Sequence, residues 1–568
     1  MSTVASTHRL RQLSLVTACL IGMLQAAAFA PFNVAGFAWI TPGLLLITSL
    51  ASPGNSPFRL GYLSGLFFWL STLYWLLYIP VTGGPIAGWL VLSAYLAIYT
   101  GVWLWGMKQI YMWFSKDVLE GHSGPALNDF SLFFKIISSV PVWKRVLLAL
   151  SGAIFWVALE MVRARLITGF PWNFLGTSQY TLIPLIQISS VTGVYGISFV
   201  IVWFSIALLL SFCRLIAYPR QQWFWIGELW MPVITIALCW FWGLAQMSPT
   251  LKSETRFVKI ALIQPSIPQT LIWDPEETTN RFLKLIELST EALSNKIDLL
   301  IWPEAAVPNV VRYDPDITFP AITNLVQKHK TWLIMGADDA DPDVKNQSFT
   351  FYNSSFLVNP EGEFVKSYRK RRLVMFGEYV PFQPYLPFLK WFTPTSVNFQ
   401  PGEKPVSFAL EDLGVNTSLL ICFEDVFPHQ VREHVQGDTT FLVNLTNNGW
   451  FKESAAQWQH AINALFRAIE NGVSMVRCAN NGLTCWIDVH GRIRDPWIDL
   501  KGTIYGPGYK IIHLELPSLS APKRTTFYHQ KGDVFGWSCV LWSCLIICLM
   551  MWIKKPFRFP ERLHQRLE

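Results

Sequence analysis

The sequence predicts two architectures in one chain: a multi-pass α-helical membrane domain and, outside the bilayer, a layered α/β domain. Three observations carry this. Of 568 residues 52% are hydrophobic and only 15% are charged, with 27 Trp and 40 Phe. That is too apolar for an ordinary soluble protein and too long for one domain. Apolar runs long enough to span a bilayer, which takes about 20 residues, crowd residues 1–249 and return once near the end. Between them, residues 250–525 alternate short apolar runs with stretches of helical spacing, as strands joined by crossover helices do.

The membrane elements are read first. Eight apolar runs lie near 13–30, 35–50, 60–79, 85–113, 146–165, 182–212, 224–247 and 534–553. The second is short and holds Pro42. The first is read as an uncleaved span: Ala26-Ala27-Ala28 imitates a cleavage site, but another apolar segment follows at once. Orientation follows from the basic residues. Arg9 and Arg11, Arg59, Lys116 through Arg145, Arg214 and Arg220, and Lys554 through Arg566 fall in alternate links, while the links near 31–34 and 80–84 carry no charge. Both termini are therefore expected in the cytoplasm. Residues 250–525, after seven spans, are expected outside the cytoplasmic membrane, which is the periplasm of a bacterium with two membranes. The expected organisation is a seven-span domain over 1–249, an extracytoplasmic domain over 250–525, and a last span with a basic tail over 526–568. Arg163 and Arg165 fall on the outer side, either at a functional or interfacial position or snorkelling to headgroups. The net charge of +7 is explained by the cytoplasmic anchors and gives no reason to invoke nucleic acid.

In the extramembrane region the expected strands are 257–264, 298–302, 331–336, 348–358, 364–367, 416–422, 440–445, 474–478 and 484–488. Helices are expected at 275–295, which opens on Pro-Glu-Glu, and at 321–329, 427–435 and 455–471. Cys478 and Cys485 are close enough in sequence to pair in a turn, but read more simply as buried residues on neighbouring strands. No Cys/His spacing resembles a zinc site, and no metal or cofactor is expected. The stretch 376–402 is apolar yet full of proline, so it cannot be a regular strand or helix. It is either an irregular packed loop or an apolar lid toward the bilayer, with Phe382, Phe388, Leu389 and Trp391 as its apolar contacts.

Three residues stand near strand ends in an order that suits thiol-based acyl transfer: Glu304 in Trp302-Pro303-Glu304, Lys370 in Tyr368-Arg369-Lys370, and Cys422 in Ile421-Cys422-Phe423-Glu424. A carboxylate takes the proton, a thiolate attacks a carbonyl, and an ammonium stabilises developing negative charge. Alone, each has a plainer reading: a turn-capping carboxylate, a solvated basic run, a buried packing cysteine. Lys370 is expected to lower the Cys422 pKa. Glu378 either bonds Lys370 or pairs with the local arginines, and Glu424 either orients the site or faces solvent. Trp273 and Phe423 are expected beside the nucleophile.

These segments resemble the nitrilase superfamily of carbon–nitrogen hydrolases. More closely, nearly the whole chain resembles the apolipoprotein N-acyltransferase family. The resemblance rests on Gln264-Pro265-Ser266-Ile267-Pro268-Gln269 with Trp273, Trp302-Pro303-Glu304-Ala305, and Tyr368-Arg369-Lys370 through Phe376-Gly377-Glu378-Tyr379-Val380-Pro381-Phe382. It continues through Ile421-Cys422-Phe423-Glu424, Asn444 to Phe451 and Arg477 to Gly482, and includes Gly169-Phe170-Pro171-Trp172 with Glu160 and Arg163 before it. The Glu and Lys segments indicate only the superfamily. Phe-Gly-Glu-Tyr-Val-Pro and the membrane Gly-Phe-Pro-Trp point to the acyltransferases. The chain departs from the family pattern at Phe423 (usually Tyr), Arg372 (His), Met375 (Pro) and Asn448 (Asp).

The resemblance implies a nitrilase-like α-β-β-α sandwich outside the bacterial inner membrane and a two-step reaction without cofactor. Cys422 would take an acyl chain from a phospholipid as a thioester. The α-amine of an S-diacylglyceryl-cysteine at a lipoprotein N-terminus would then attack it. The alternative is a membrane-tethered nitrilase-type amidase that hydrolyses a small amide.

Overall fold

The computed structural model describes residues 2–52, 54–117, 130–220, 227–248, 255–272, 274–310, 312, 318–343, 347–381, 385, 398–518 and 525–553. The strands are β1 (Thr255–Gln264), β2 (Leu299–Ile301), β3 (Val307–Val310), β4 (Trp332–Asp343), β5 (Ser348–Val358), β6 (Phe364–Arg369) and β7 (Ser407–Leu410). They continue as β8 (Val415–Ile421), β9 (Phe441–Thr446), β10 (Ser474–Ala479), β11 (Cys485–Ile487), β12 (Ile493–Arg494) and β13 (Gly508–Pro517).

Among the described residues they form two sheets, one in the order β13-β1-β2-β4-β5-β6 with β3 on β4, the other β12-β11-β10-β9-β8-β7. The central strands β1, β2 and β4 run parallel, as do β8, β9 and β10. Both faces of these strands are covered, and each carries an apolar stretch, such as 260–263, 299–301 and 419–421. Alternation then sorts their side chains. Ile260, Leu262, Ile301 and Ile334 meet Leu419, Ile421, Val443 and Leu445 between the sheets. Ala261, Ile263, Leu333 and Met335 face Phe282, Leu285, Ile322 and Val326 of the outer helices. Each such buried side chain stabilises the fold by roughly 1.5–3 kcal/mol. The expected α-β-β-α sandwich is the observed one.

The expected elements shift by a few residues. The Pro-Glu-Glu start is a short 3-10 turn, Pro275–Glu277, capped by Asp274, whose side chain accepts from the Glu276 N–H. Helix Thr278–Ala292 follows. Strands β3, β7, β12 and β13 were not expected. The last is the most consequential, because it pairs antiparallel with β1 from Thr255↔Pro517 to Gln264↔Gly508.

In the membrane half, four described helices are long and apolar enough to cross a bilayer: Gly84–Phe114, Val142–Arg163, Tyr195–Ala217 and Val534–Trp552. Of the other expected runs, the first lies mostly in one continuous helix, Ser2–Ala26, and others are interrupted. The run near 35–50 is a 3-10 turn, Ala35–Trp39, and a ten-residue helix, Thr41–Leu50. At 1.5 Å per residue that helix is only about 15 Å long. The run near 60–79 is helix Pro57–Thr72 and a 3-10 turn, Tyr74–Tyr78. The run near 182–212 breaks at Gly193, where φ is +66°, before Tyr195–Ala217. The run near 224–247 is helix Trp230–Gln246.

The two halves are packed as one body through helix Ala456–Asn471, which backs the second sheet. Its apolar residues Ile462, Leu465, Phe466 and Ile469 belong to the same buried cluster as Trp69, Trp172, Tyr195 and Ile201 of the membrane half.

Candidate active site

The two sheets bring their strand ends together at one buried cluster. Glu304 follows β2 in a tight turn held by backbone bonds from Trp302 N–H to the Ile334 carbonyl and from Ala306 N–H to the Gly336 carbonyl. Gly336 is required here: a Cβ would stand 2.4 Å from the Pro303 oxygen. Lys370 follows β6 and is fixed by its own N–H to the Asn353 carbonyl, 2.8 Å. Cys422 follows β8 with φ at +52°, a left-handed conformation that costs a non-glycine residue free energy and so needs support from its surroundings. That support is visible. The Cys422 carbonyl accepts from Asn444 Nδ2 at 3.0 Å and lies 3.2 Å from His460 Nε2.

The charged groups interlock. Lys370 Nζ donates to Glu304 Oε1 (3.2 Å) and Glu378 Oε1 (2.8 Å). Asn353 Nδ2 donates to the same two oxygens, 2.8 Å each. Glu304 Oε2 accepts from the Asn447 N–H at 2.9 Å, so the second sheet supplies a donor to the first sheet's carboxylate. Glu378 Oε2 accepts from the Val374 N–H. Of the two expected roles for Glu378, the structure places it on Lys370. Glu424 is fully buried and does not face solvent. It accepts from the Tyr368 hydroxyl and from the Ile421, Arg371 and Arg372 N–H groups, tying the end of β8 to the end of β6.

Electrostatics separate the three groups. Burial opposes the Lys370 ammonium, but Glu304, Glu378 and the thiol outweigh it and hold its pKa well above the usual lysine range. Lys370 pulls the Cys422 thiol pKa down, as the sequence leads one to expect, but it is outweighed. Burial, with Glu304 and Glu378 adding to it, pushes the thiol pKa up to about 12 against the opposing pull of Lys370 and Thr446. A group held this high carries its proton near neutral pH, and a thiol acts as a nucleophile only once that proton is lost.

Phe423 stands where the backbone turns toward the membrane half. Its ring contacts Phe170 (6.2 Å), Trp172 (6.1 Å) and Phe427 (5.1 Å). The Gly-Phe-Pro-Trp segment therefore packs on the residue after the thiol. Arg163 is buried and is not snorkelling: it donates to the Phe170 and Trp172 carbonyls and stacks on Trp69 and Phe174. Glu160 accepts from Trp156 Nε1 and the Leu175 N–H. Arg165 pairs with Asp533 and lies over Trp537. A small cavity opens beside this segment, lined by Phe68, Trp69, Leu96, Tyr99, Trp103 and Arg163 among others. Trp69 touches Phe170, so aromatic contacts run unbroken from cavity to nucleophile turn.

Of the remaining expectations, Trp273, Phe382, Phe388, Leu389 and Trp391 lie outside the described residues. Cys478 and Cys485 are free and buried on adjacent strands. Among the described residues no cluster of His, Cys, Asp and Glu could hold a metal ion. Sequence reasoning missed Asn353, Asn444 and His460. Asn444 lies in a segment that carried the family resemblance; Asn353 and His460 had no motif to mark them.

Known proteins resemble both parts of the chain. Residues 21–207 match the apolipoprotein N-acyltransferase N-terminal domain and residues 259–505 match the carbon-nitrogen hydrolases. An apolipoprotein N-acyltransferase of Geobacter metallireducens is 31% identical over 542 residues, 94% of each chain. This chain belongs to the apolipoprotein N-acyltransferase family. The family member of Vibrio vulnificus is 29% identical over 571 residues, 96% of this chain and 98% of its own. Among solved structures, an amidase from Nesterenkonia sp. AN1 has a TM-score of 0.34 at 17% identity, covering 45% of this chain and 93% of its own. Saccharomyces cerevisiae Nit3, of the nitrilase superfamily, has a TM-score of 0.33 at 19% identity, covering 46% of this chain and 91% of its own.

Proposed function

We propose that this acyltransferase moves an acyl chain from a phospholipid to the α-amine of an N-terminal S-diacylglyceryl-cysteine of a lipoprotein, through a thioester on Cys422. The observation that carries the reading is the meeting of Glu304, Lys370 and Glu378 at the Cys422 turn, whose next residue packs on the membrane half. In the first step Glu304 takes the thiol proton as sulfur attacks the ester carbonyl. Lys370 stabilises the oxyanion, the C–O bond breaks, and Glu304 returns the proton to the departing alcohol. In the second step the amine attacks the thioester, the C–S bond breaks, and Glu304 carries a proton from nitrogen to the leaving sulfur. The high pKa of the resting thiol fits this sequence, since it protects the nucleophile until a substrate and its base act together.

Both substrates are lipids. Each buried methylene contributes roughly 0.8 kcal/mol, so neither leaves a bilayer readily. The aromatic contacts Trp69–Phe170–Phe423 link the wall of the membrane cavity to the residue after the thiol, which supports lipid access from the membrane half. The distribution of basic residues in the links supports a catalytic half on the periplasmic side with both termini in the cytoplasm. Domain limits at 249 and 525 follow the same reading.

Intact mass analysis of the purified protein with phospholipid vesicles tests it. Wild type is expected to gain one acyl mass that maps to Cys422 and leaves on addition of a diacylglyceryl-cysteine peptide. Turnover of small amides with no retained acyl group would overturn the reading in favour of the amidase. A reporter fused after Lys555 that behaves as external would overturn the orientation.

A further inference from the structure

Helix Ala456–Asn471 carries one carboxamide that does unusual duty. Gln459 is buried. Its Oε1 accepts from the indole N–H of Trp75 (3.1 Å) and of Trp172 (2.8 Å), and lies 3.5 Å from Asn173 Nδ2. Its Nε2 donates to the carbonyls of Ala30 (2.9 Å) and Thr72 (3.3 Å). One side chain of the catalytic half thus joins three separate segments of the membrane half. Its neighbour His460 faces the nucleophile: Nε2 lies 2.8 Å from Asp425 Oδ1 and 3.2 Å from the Cys422 carbonyl, and Nδ1 lies 3.0 Å from Asn448 Oδ1. Trp172, held by Gln459, also packs on His460 (5.7 Å) and Phe423 (6.1 Å).

Two facts give this arrangement a consequence. The left-handed Cys422 backbone costs free energy and persists only while its surroundings over-determine it. A buried amide that loses its partners destabilises its site. We propose that Gln459 is a positioning residue: by fastening the His460 helix to the membrane half, it holds the Cys422 turn in its strained, reactive geometry. The membrane domain then has a second task besides gathering lipids. It completes the support of the nucleophile. The identity of the reaction rests on the preceding section, but the support of the turn does not.

The test uses full-length protein in vesicles of phosphatidylethanolamine and phosphatidylglycerol, with two readouts: alkylation of Cys422 by iodoacetamide across pH, and acyl-enzyme formation by intact mass. Gln459→Met removes both halves of the hydrogen-bond set. Gln459→Glu keeps the acceptor for the two indoles and loses donation to Ala30 and Thr72. The expected result for Gln459→Met is a shifted alkylation pH profile and acyl-enzyme formation slowed roughly tenfold to a hundredfold. KM for phospholipid should change less than about twofold, and Gln459→Glu should fall between. Wild-type alkylation and acylation in both variants would overturn the proposal. So would a raised KM with an unchanged maximal rate, which would assign Gln459 to lipid binding. Where a Gln459 variant fails to fold, Trp75→Phe removes one donor outside the catalytic half. It should give a smaller shift of the same sign, and wild-type behaviour there counts against the proposal. If wild type alkylates normally but never acylates, the reaction assignment fails while the alkylation profiles still decide the positioning role.

Discussion

The two sheets of the catalytic half differ in what backs them. The first sheet supplies Glu304 and Lys370, and its covering helix Thr278–Ala292 turns Leu283, Glu287 and Thr290 to the outside. The second sheet supplies Cys422, and its covering helix Ala456–Asn471 is buried along its whole length except for half-buried Trp458. The sheet that carries Glu304 and Lys370 thus has a helix open to the outside. The sheet that carries Cys422 is sealed against membrane helices, and Gln459 and Glu470 make polar contacts there. Arg467 pairs with Glu470 at 2.6 Å, and Glu470 accepts from the Val194 N–H. In the proposed reaction, attaching Cys422, and not Glu304, to the membrane half would leave the acyl carrier fixed relative to where lipid arrives.

The strongest way to break this comparison is at the chemistry itself. Cys422→Ser should lower acyl-enzyme formation by on the order of 10⁴-fold or more, because an alkoxide is far harder to generate than a thiolate. The protein should still extract and purify as wild type, and near-normal acylation by mass analysis would remove Cys422 from the nucleophile role. On the first sheet, Glu304→Gln should slow acylation by roughly 10²–10⁴-fold, the worth of a general base. The same variant should speed alkylation of Cys422 by iodoacetamide near pH 8. Glu304 raises the thiol pKa, so losing its charge lowers that pKa and increases the thiolate fraction at a given pH. Two readouts moving in opposite directions separate a base from a structural carboxylate; parallel losses would sink the assignment.

The helical layers make the smaller contrast. Arg467→Met leaves Glu470 buried without its cation and should destabilise the protein by about 3–5 kcal/mol, read as a lower midpoint in thermal or denaturant unfolding. Thr290→Ala on the outward face of the other layer should change stability by less than about 0.5 kcal/mol. Equal effects would mean that the two layers are not differently supported.

What the sequence disclosed follows the same line. Glu304 and Cys422 were legible because each ends an apolar strand, and Lys370, which sits in a basic run, was legible by its resemblance to the family segment. Glu378 was legible as one of two alternatives, and the structure chose Lys370 as its partner. Asn353 was not legible, because its place beside both glutamates depends on how β5 pairs with β4 and β6. Gln459 was hidden for another reason: on an amphipathic helix a polar residue reads as solvent-facing, and only the packing of the membrane half buries it. The pull of Lys370 on the thiol was legible, and its being outweighed was not, because a nearby lysine is visible in sequence while desolvation is not. Strand β13 went unread because Lys510, His513 and Glu515 interrupt its apolar positions.

That strand has a bearing on the chain as a whole. Because β13 zips onto β1 along its entire length, the polypeptide enters and leaves the catalytic half at neighbouring points. The helix that follows, Val534–Ile553, packs back against Val142–Arg163. The catalytic half is in this sense an insertion with a single doorway, and its two connections, Thr255 and Pro517, stand opposite each other in the ladder. Such geometry suits transplantation: a related sandwich could be exchanged between two adjacent cut sites without re-routing the membrane helices. What would have to travel with it is the face of helix Ala456–Asn471, since that surface is where the insert recognises its host.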